Sequence, residues 1–179
     1  MDLTQSLRLI LPEEILSVGG LILLLAAAWL GDKASRAISI AAVALIVAAA
    51  AFTVPTLDNG AMGAGTGAFF GQFQADAFAA YAKMLIYLAG AACLMIAPQF
   101  FERWKAMRAE YPVLLLFAVL GTSIMVSAGD LMTLYIGLEM NSLASYVLAA
   151  FLRVDNRSAE SGLSTSCSVR SLAASCFMA

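Results

Sequence analysis

The chain has 179 residues, of which 62% are hydrophobic and 12% are charged, and its formal net charge is −2. A typical soluble domain carries about 25% charged residues and roughly 45–50% apolar ones, so the composition predicts an integral membrane protein. The chain has no histidine, and its three cysteines form no CxxC pair. We therefore expect no metal site and no cofactor in this chain. Its lysines and arginines form no cluster that would indicate nucleic-acid binding.

The apolar runs predict an all-α fold, a polytopic bundle with five complete transmembrane spans and a partial or altered sixth. A hydrocarbon core about 30 Å thick requires roughly 17–25 residues per helix, and the fourth run is at the short end of this range. We treat residues 1–179 as a single membrane domain. The predicted spans are approximately 14–30, 37–54, 76–97, 112–127 and 131–152, followed by a partial span at 162–179.

Pro12, Glu13 and Glu14 precede the first apolar run. Proline suits the first turn of a helix, and carboxylates suit its positive N-terminal end. A signal peptide would have a basic segment at this place, so we expect a retained first span. The simplest interpretation makes Glu13 and Glu14 helix-capping residues.

The charges of the loops predict the orientation of the bundle. Residues 55–74 form the longest connection, which is rich in glycine, and we expect it to be flexible. Neither this loop nor the short turn at 129–130 contains lysine or arginine, whereas the first, third and fifth loops do. Because basic loops stay in the cytoplasm, the N-terminus is predicted to lie outside.

Glu139 lies near the middle of the fifth predicted span, residues 131–152, which we label α5. An ionised side chain at that depth costs roughly 2.5–3.5 kcal/mol on insertion scales, so it is expected to have a function or a partner. Residues three or four positions apart share one face of a helix, and they place Tyr135, Ser142 and Tyr146 on the face of Glu139. We name these four residues the α5 stripe, and we predict that they line a polar track.

Lys83 is the second ionisable residue inside a predicted span, about two turns into the third. Asp76 lies seven residues earlier and therefore on the same face. Two interpretations stay open. Lys83 either extends to the interface or forms a structural pair, or else it takes part in proton transfer.

The segments LPEEIL, FQADAFAAYAKMLIYLAG and EYPVLLLFAVLGTSIMVSAGDLMTLYIGLEMNSLASYVLAAFLR, followed by SAESGL, resemble one family. It is the antiporter-like membrane subunit N of proton-translocating NADH:quinone oxidoreductase, respiratory complex I. The resemblance covers nearly all of residues 9–163, and the stretch from residue 110 to 163 is the specific part.

This resemblance implies that the chain is the N-terminal part of a longer antiporter-like bundle of about fourteen helices in a bacterial inner membrane. Glu139 matches the family's proton-channel glutamate, which pairs with lysines on later helices, and Lys83 matches a lysine whose role is less defined. The implied partners are the other membrane subunits, the lipid bilayer and quinone. NADH, flavin, iron–sulfur clusters and quinone are expected to be bound in partner subunits.

After Leu163 the sequence departs from the family pattern, in which GLKYF is usual, and Ser164 stands where a lysine is expected. Residues 164–169 match the translation of the family's codons after the loss of one base. We therefore hypothesise two compensating frame errors in the underlying nucleotide sequence, which would alter the segment 164–170. The chain ends part-way through the sixth predicted span, which we interpret as an incomplete sequence.

Two other functions remain open on the sequence. The chain could be a subunit of a multisubunit cation/proton antiporter or of a membrane-bound hydrogenase, because these contain related subunits. It could also be a structural membrane subunit that supports assembly, although the α5 stripe favours a transport function.

Overall fold

Long apolar runs without internal turn signals fold into helices that satisfy their own backbone hydrogen bonds, as a membrane requires. The computed structural model describes residues 3–30, 35–60, 66–68, 72–104 and 110–149. In chain order its elements are α1 (Leu3–Leu30), α2 (Ser35–Gly60), β1 (Thr66–Ala68), β2 (Phe73–Ala75), α3 (Ala77–Trp104), α4 (Glu110–Val126) and α5 (Leu131–Ala149).

Three of these helices contain segments long and apolar enough to cross a membrane. The segments are Ile10–Leu30, Ser35–Val54 and Ala77–Pro98, and α4 is a shorter apolar helix. The prediction of a helical membrane bundle is therefore confirmed for these three spans. The predicted fourth and fifth spans correspond to α4 and α5 and remain predictions, whereas the partial sixth lies outside the described residues.

The ends of three helices differ from the prediction. Helix α2 continues through Pro55 to Gly60, where the glycine-rich connection was predicted to begin. The first helix begins at Leu3 and continues through Pro12, so Pro12, Glu13 and Glu14 do not form its first turn. The capping interpretation of Glu13 and Glu14 is wrong for this reason. The third helix likewise continues through Pro98 to Trp104, where a loop was predicted.

The glycine-rich connection contains a short β-hairpin that the sequence did not predict. Strand β1 pairs with β2 in antiparallel register, with Thr66 opposite Ala75 and Ala68 opposite Phe73. Two further backbone hydrogen bonds join this hairpin to the α4–α5 turn: Gln74 N donates to Ser127 O at 2.9 Å, and Gly129 N donates to Gln72 O at 2.8 Å. The connection between α2 and α3 and the turn between α4 and α5 thus lie at the same end of the bundle. Their shared lack of basic residues predicts this arrangement.

Helix α4 occupies the centre of the bundle and packs against α1, α2, α3 and α5. A helix that is apolar on all sides is typical of such a buried position. The core around it is built from aliphatic side chains and one tyrosine, including Leu16, Ile46, Tyr87, Leu94, Val113, Leu116 and Leu120.

The outer faces of α1, α2 and α3 expose large apolar side chains. Trp29 is 94% exposed, and Ile40 and Leu88 are each 72% exposed. Apolar surface of this extent is typical of helices that contact lipid or a partner protein. The buried faces of the same helices therefore decide where a polar site can form.

Helices α4 and α5 approach each other closely at two glycines. A Cβ atom on Gly137 would lie 2.9 Å from Gly121 O, and one on Gly121 would lie 2.7 Å from Asn141 N. Small residues allow helix backbones to pack at this distance inside a membrane. This contact also fixes which face of α5 points toward α4.

Candidate functional site

An ion pair between α1 and α3 is buried inside the bundle. Lys83 Nζ lies 2.5 Å from Glu13 Oε1, and the two residues are only 4% and 5% exposed. Two charges can be buried at this depth because each offsets much of the other's desolvation cost. The structure thus pairs Lys83 with Glu13 on another helix, and Asp76 is not its ion-pair partner.

A hydrogen-bonded chain of two hydroxyl groups extends from this pair. Ser123 Oγ on α4 donates to Glu13 Oε1 at 3.0 Å, and Tyr87 OH lies 2.9 Å from Ser123 Oγ. A serine has one hydroxyl proton, so Tyr87 is the donor to Ser123 when Ser123 donates to Glu13. Tyr87 is one turn along α3 from Lys83, so the network joins α1, α3 and α4. We name these four residues, Glu13, Lys83, Tyr87 and Ser123, the buried network.

An aromatic ring from the hairpin lies over the lysine of this network. The centroid of the Phe73 ring is 4.7 Å from Lys83 Nζ, and Phe73 itself is 7% exposed. The face of an aromatic ring attracts a cation, and the attraction is larger where water is excluded. Strand β2 therefore covers the ion pair at the hairpin end of the bundle.

Two buried polar atoms next to this network have no hydrogen-bond partner in the described part of the chain. They are Glu13 Oε2 and Ser127 Oγ. Ser127 is fully buried and follows Ser123 by four residues, which places it about one turn further toward the hairpin. A buried carboxylate oxygen without a donor is costly, so this side of Glu13 is a place where a ligand or a water molecule would be stabilised.

The α5 stripe lies on a different side of the bundle from the buried network. Gly137 and Ala144 are the buried residues of α5 and face α4, and Glu139 is about 200° further round the helix than Gly137. Glu139, Ser142 and Tyr146 are half-buried, and Tyr135 is 39% exposed. Ser142 Oγ donates to Glu139 O at 2.8 Å, a local bond within the helix.

The predicted site residues thus fall into two groups on different sides of the bundle. Lys83 is in the buried network, and Glu139 is on the face of α5 that points away from α4. Sequence reasoning missed Glu13, Ser123 and Phe73 as neighbours of Lys83. An acidic residue at the edge of an apolar run was visible, but its contact with α3 depends on packing between distant segments.

Within the described residues, no cluster of acidic and cysteine side chains could hold a metal ion.

The structure therefore defines the class of this protein as a helical membrane protein with a buried ion pair, Glu13–Lys83, and a half-buried carboxylate, Glu139, on α5. Residues 128–179 match the family model described as NADH:quinone oxidoreductase/Mrp antiporter, TM. The chain is 61% identical over 163 residues to NADH-quinone oxidoreductase subunit N of Erythrobacter litoralis, which covers 91% of the chain and 34% of that protein.

Two further relatives carry the same name. Subunit N of Rhizorhabdus wittichii is 55% identical over 164 residues, covering 91% of the chain and 33% of the relative. Subunit N of Sphingopyxis alaskensis is 48% identical over 161 residues, covering 90% and 32%. The predicted resemblance to subunit N is confirmed, and the chain spans about a third of the length of the curated relatives it matches.

Proposed function

We propose that this chain is part of a proton-translocating membrane subunit of NADH:quinone oxidoreductase in a bacterial inner membrane. The observation that carries the proposal is the 61% identity to a subunit N over 91% of the chain. The structure supports it by supplying ionisable side chains inside apolar helices, which are uncommon and usually functional in membrane proteins. Other membrane subunits of the complex are the proposed partners.

Glu139 is the proposed proton-path residue of this subunit. Its carboxylate lies on the side of α5 opposite α4, and lipid is an unfavourable environment for a charge. A further protein element next to the α5 stripe would remove this cost. The family resemblance supplies such an element, a later helix that carries a lysine, and Tyr135, Ser142 and Tyr146 would extend the polar surface along the same face.

The mechanism follows from the electrostatics of such a pair. A cation close to a carboxylate favours its charged form, and withdrawal of the cation favours the protonated form. A lysine that moves relative to Glu139 would therefore change the proton affinity of that carboxylate. Coupling to quinone reduction requires a conformational change that arrives from the neighbouring subunits.

The redox chemistry belongs to partner subunits in this proposal. NADH, flavin, the iron–sulfur clusters and quinone would be bound there, and this chain would carry only protons. The chain has no histidine and no CxxC pair, so its residue types favour acid–base function over ligation of a redox centre.

The test is Glu139→Gln in the full-length subunit, assembled into the complex and studied in inverted membrane vesicles. We expect the complex to assemble and NADH-driven acidification of the vesicle interior to fall, because glutamine cannot release a proton. Glu110→Gln is the matched control, since Glu110 is exposed at the beginning of α4. Undiminished acidification with normal quinone reductase activity would contradict the role of Glu139.

A second function is favoured by one observation, because the matching family model also includes Mrp antiporters. A subunit of a cation/proton antiporter would move protons in response to an imposed sodium gradient and without NADH. A membrane-bound hydrogenase subunit would couple proton movement to hydrogen oxidation or evolution. The same vesicles distinguish these functions from NADH-driven transport. If neutralising both Glu139 and Lys83 leaves every transport activity intact, a purely structural function is favoured.

A further inference from the structure

We propose that the buried network is a second proton-exchange site of this subunit, separate from Glu139, and that it exchanges protons through a water molecule held by Glu13 Oε2 and Ser127 Oγ. This inference rests on the proposed proton translocation. It assigns to Glu13, Ser123 and Tyr87 a role in proton exchange, and it gives Lys83 a defined partner.

The first support is the arrangement of donors around Glu13. One carboxylate oxygen is fully used, because Oε1 receives Lys83 Nζ and the Ser123 hydroxyl. The other oxygen, Oε2, is buried and has no partner in the described structure. A pair that served only to hold two helices together would gain stability from a donor at this oxygen, and the described part of the chain supplies none.

The second support is the neighbouring hydroxyl. Ser127 Oγ is also buried and without a partner, and it lies one turn beyond Ser123, the residue that contacts Glu13. A water molecule between Oε2 and Ser127 Oγ would satisfy both atoms, and buried waters usually occupy such polar sites. The Ser127 backbone carbonyl already accepts from Gln74 N, so the water site would lie directly under the hairpin.

The proton step is a simple exchange with this water. Release breaks a Lys83 N–H bond, passes the proton by way of the Glu13 carboxylate to the water, and leaves a neutral amine and hydronium. Uptake reverses both steps and restores ammonium and carboxylate. Tyr87 OH and Ser123 Oγ form a hydrogen-bonded chain that ends at the other carboxylate oxygen, Glu13 Oε1.

Phe73 determines how this site meets the aqueous phase at the hairpin end. Its ring covers Lys83, and its strand is bonded to the α4–α5 turn. With the orientation that the loop charges predict, this end of the bundle is the outer one. The ring would therefore limit passive proton flow between the outer phase and the buried network.

The decisive experiment compares Glu13→Gln, Lys83→Met and the double variant in the assembled complex in membrane vesicles. Each single change leaves one buried charge alone, so both single variants are expected to assemble poorly. The double variant removes both charges and should assemble. We expect it to oxidise NADH while losing proton yield per NADH. Glu14→Gln is the matched control, because Glu14 is adjacent in sequence and exposed.

The outcomes separate this inference from the function on which it rests. An assembled double variant with unchanged proton yield would show that the pair is structural and would overturn the inference. If vesicles that contain the unmodified complex move no protons during NADH oxidation, this result would instead contradict the proposed function itself. A double variant that fails to assemble is replaced by Ser127→Ala. That change removes one hydrogen-bond partner of the water and leaves the Glu13–Lys83 pair intact. An unchanged proton yield in Ser127→Ala would also overturn the inference.

A second readout requires no turnover. Phe73→Leu keeps an apolar side chain over Lys83 but removes the ring, so passive proton permeability of resting vesicles is expected to rise. Phe78→Leu is the control, since Phe78 is 78% exposed on the same end of α3. Equal permeability in the two variants would contradict the covering role of Phe73.

Discussion

The Phe73 ring lies over the Lys83 ammonium, with 4.7 Å between the ring centroid and Nζ. This contact links a strand of the hairpin to a charge inside the bundle. Cation–π contacts contribute about 0.5–1 kcal/mol at exposed sites and about 2 kcal/mol when desolvated. Since both residues are buried, Phe73→Leu is expected to lower the free energy of unfolding by an amount near the larger value. Denaturant unfolding of the purified complex, with Phe78→Leu as the reference, measures this difference.

The ion pair predicts a non-additive pattern of stability. Glu13→Leu or Lys83→Leu alone leaves an uncompensated buried charge, which typically costs about 3–5 kcal/mol. The double variant removes both charges and is expected to be close to the unmodified protein in stability. Thermal inactivation of the assembled complex tests the cycle. A loss in the double variant equal to the sum of the two single losses would contradict a direct interaction between the two residues.

The hydroxyl chain predicts an order of severity. Ser123→Ala removes a hydrogen bond to a charged oxygen, which is worth about 1.5–3 kcal/mol. It also leaves the Tyr87 hydroxyl without this hydrogen-bond partner. Tyr87→Phe removes only a bond between neutral groups, worth about 0.5–1.5 kcal/mol. Unfolding measurements should therefore rank Ser123→Ala as the more damaging change. Equal effects would indicate that Ser123 does not donate to Glu13.

The glycine contact between α4 and α5 predicts a steric effect. A Cβ on Gly137 would meet Gly121 O at 2.9 Å and Met125 N at 3.0 Å, and neither backbone atom can rotate away. Overpacking of this kind costs about 1–3 kcal/mol. Gly20→Ala is the control, because a Cβ there would lie 3.5 Å from its nearest neighbours, an ordinary contact. Comparable amounts of assembled subunit for Gly137→Ala and Gly20→Ala would contradict the close approach.

The shared end of the hairpin and the α4–α5 turn predicts a labelling pattern. Gln72 and Asp130 are both exposed, and each lies beside a backbone hydrogen bond that joins the two loops. Single cysteines at these positions, in a background without the native cysteines, should react with an impermeant maleimide from the same side of the membrane. The loop charges predict that this side is the outer one. Labelling of the two positions from opposite sides would contradict the packing of the loops.

The sequence predicted three of the helical spans because hydrophobic runs are a local property. It placed the first and third close to Ile10–Leu30 and Ala77–Pro98. It assigned Glu13 to a helix cap because carboxylates beside an apolar run usually occupy that place. The ion pair between Glu13 and Lys83 forms because α1 begins as early as Leu3 and packs against α3. No local sequence pattern contains this information.

The hairpin was missed for a similar reason. Its strands are three residues long and lie in a glycine-rich segment, where strand propensity is weak. Pairing with the α4–α5 turn through residues 72–74 stabilises β2 from outside its own sequence. The position of Glu139 within its helix followed from periodicity, whereas the side of α5 that faces α4 was set by Gly137 and Gly121.

The attachment of β2 to the α4–α5 turn also has a mechanical consequence. The turn leads directly into α5, and Ala128 forms a bridge to Phe73. A displacement of α5 along its axis would therefore pull on the strand that carries Phe73, because that strand is bonded to the turn. Movement of the helix that carries Glu139 and movement of the ring that covers Lys83 would then be coupled through the hydrogen-bonded turn.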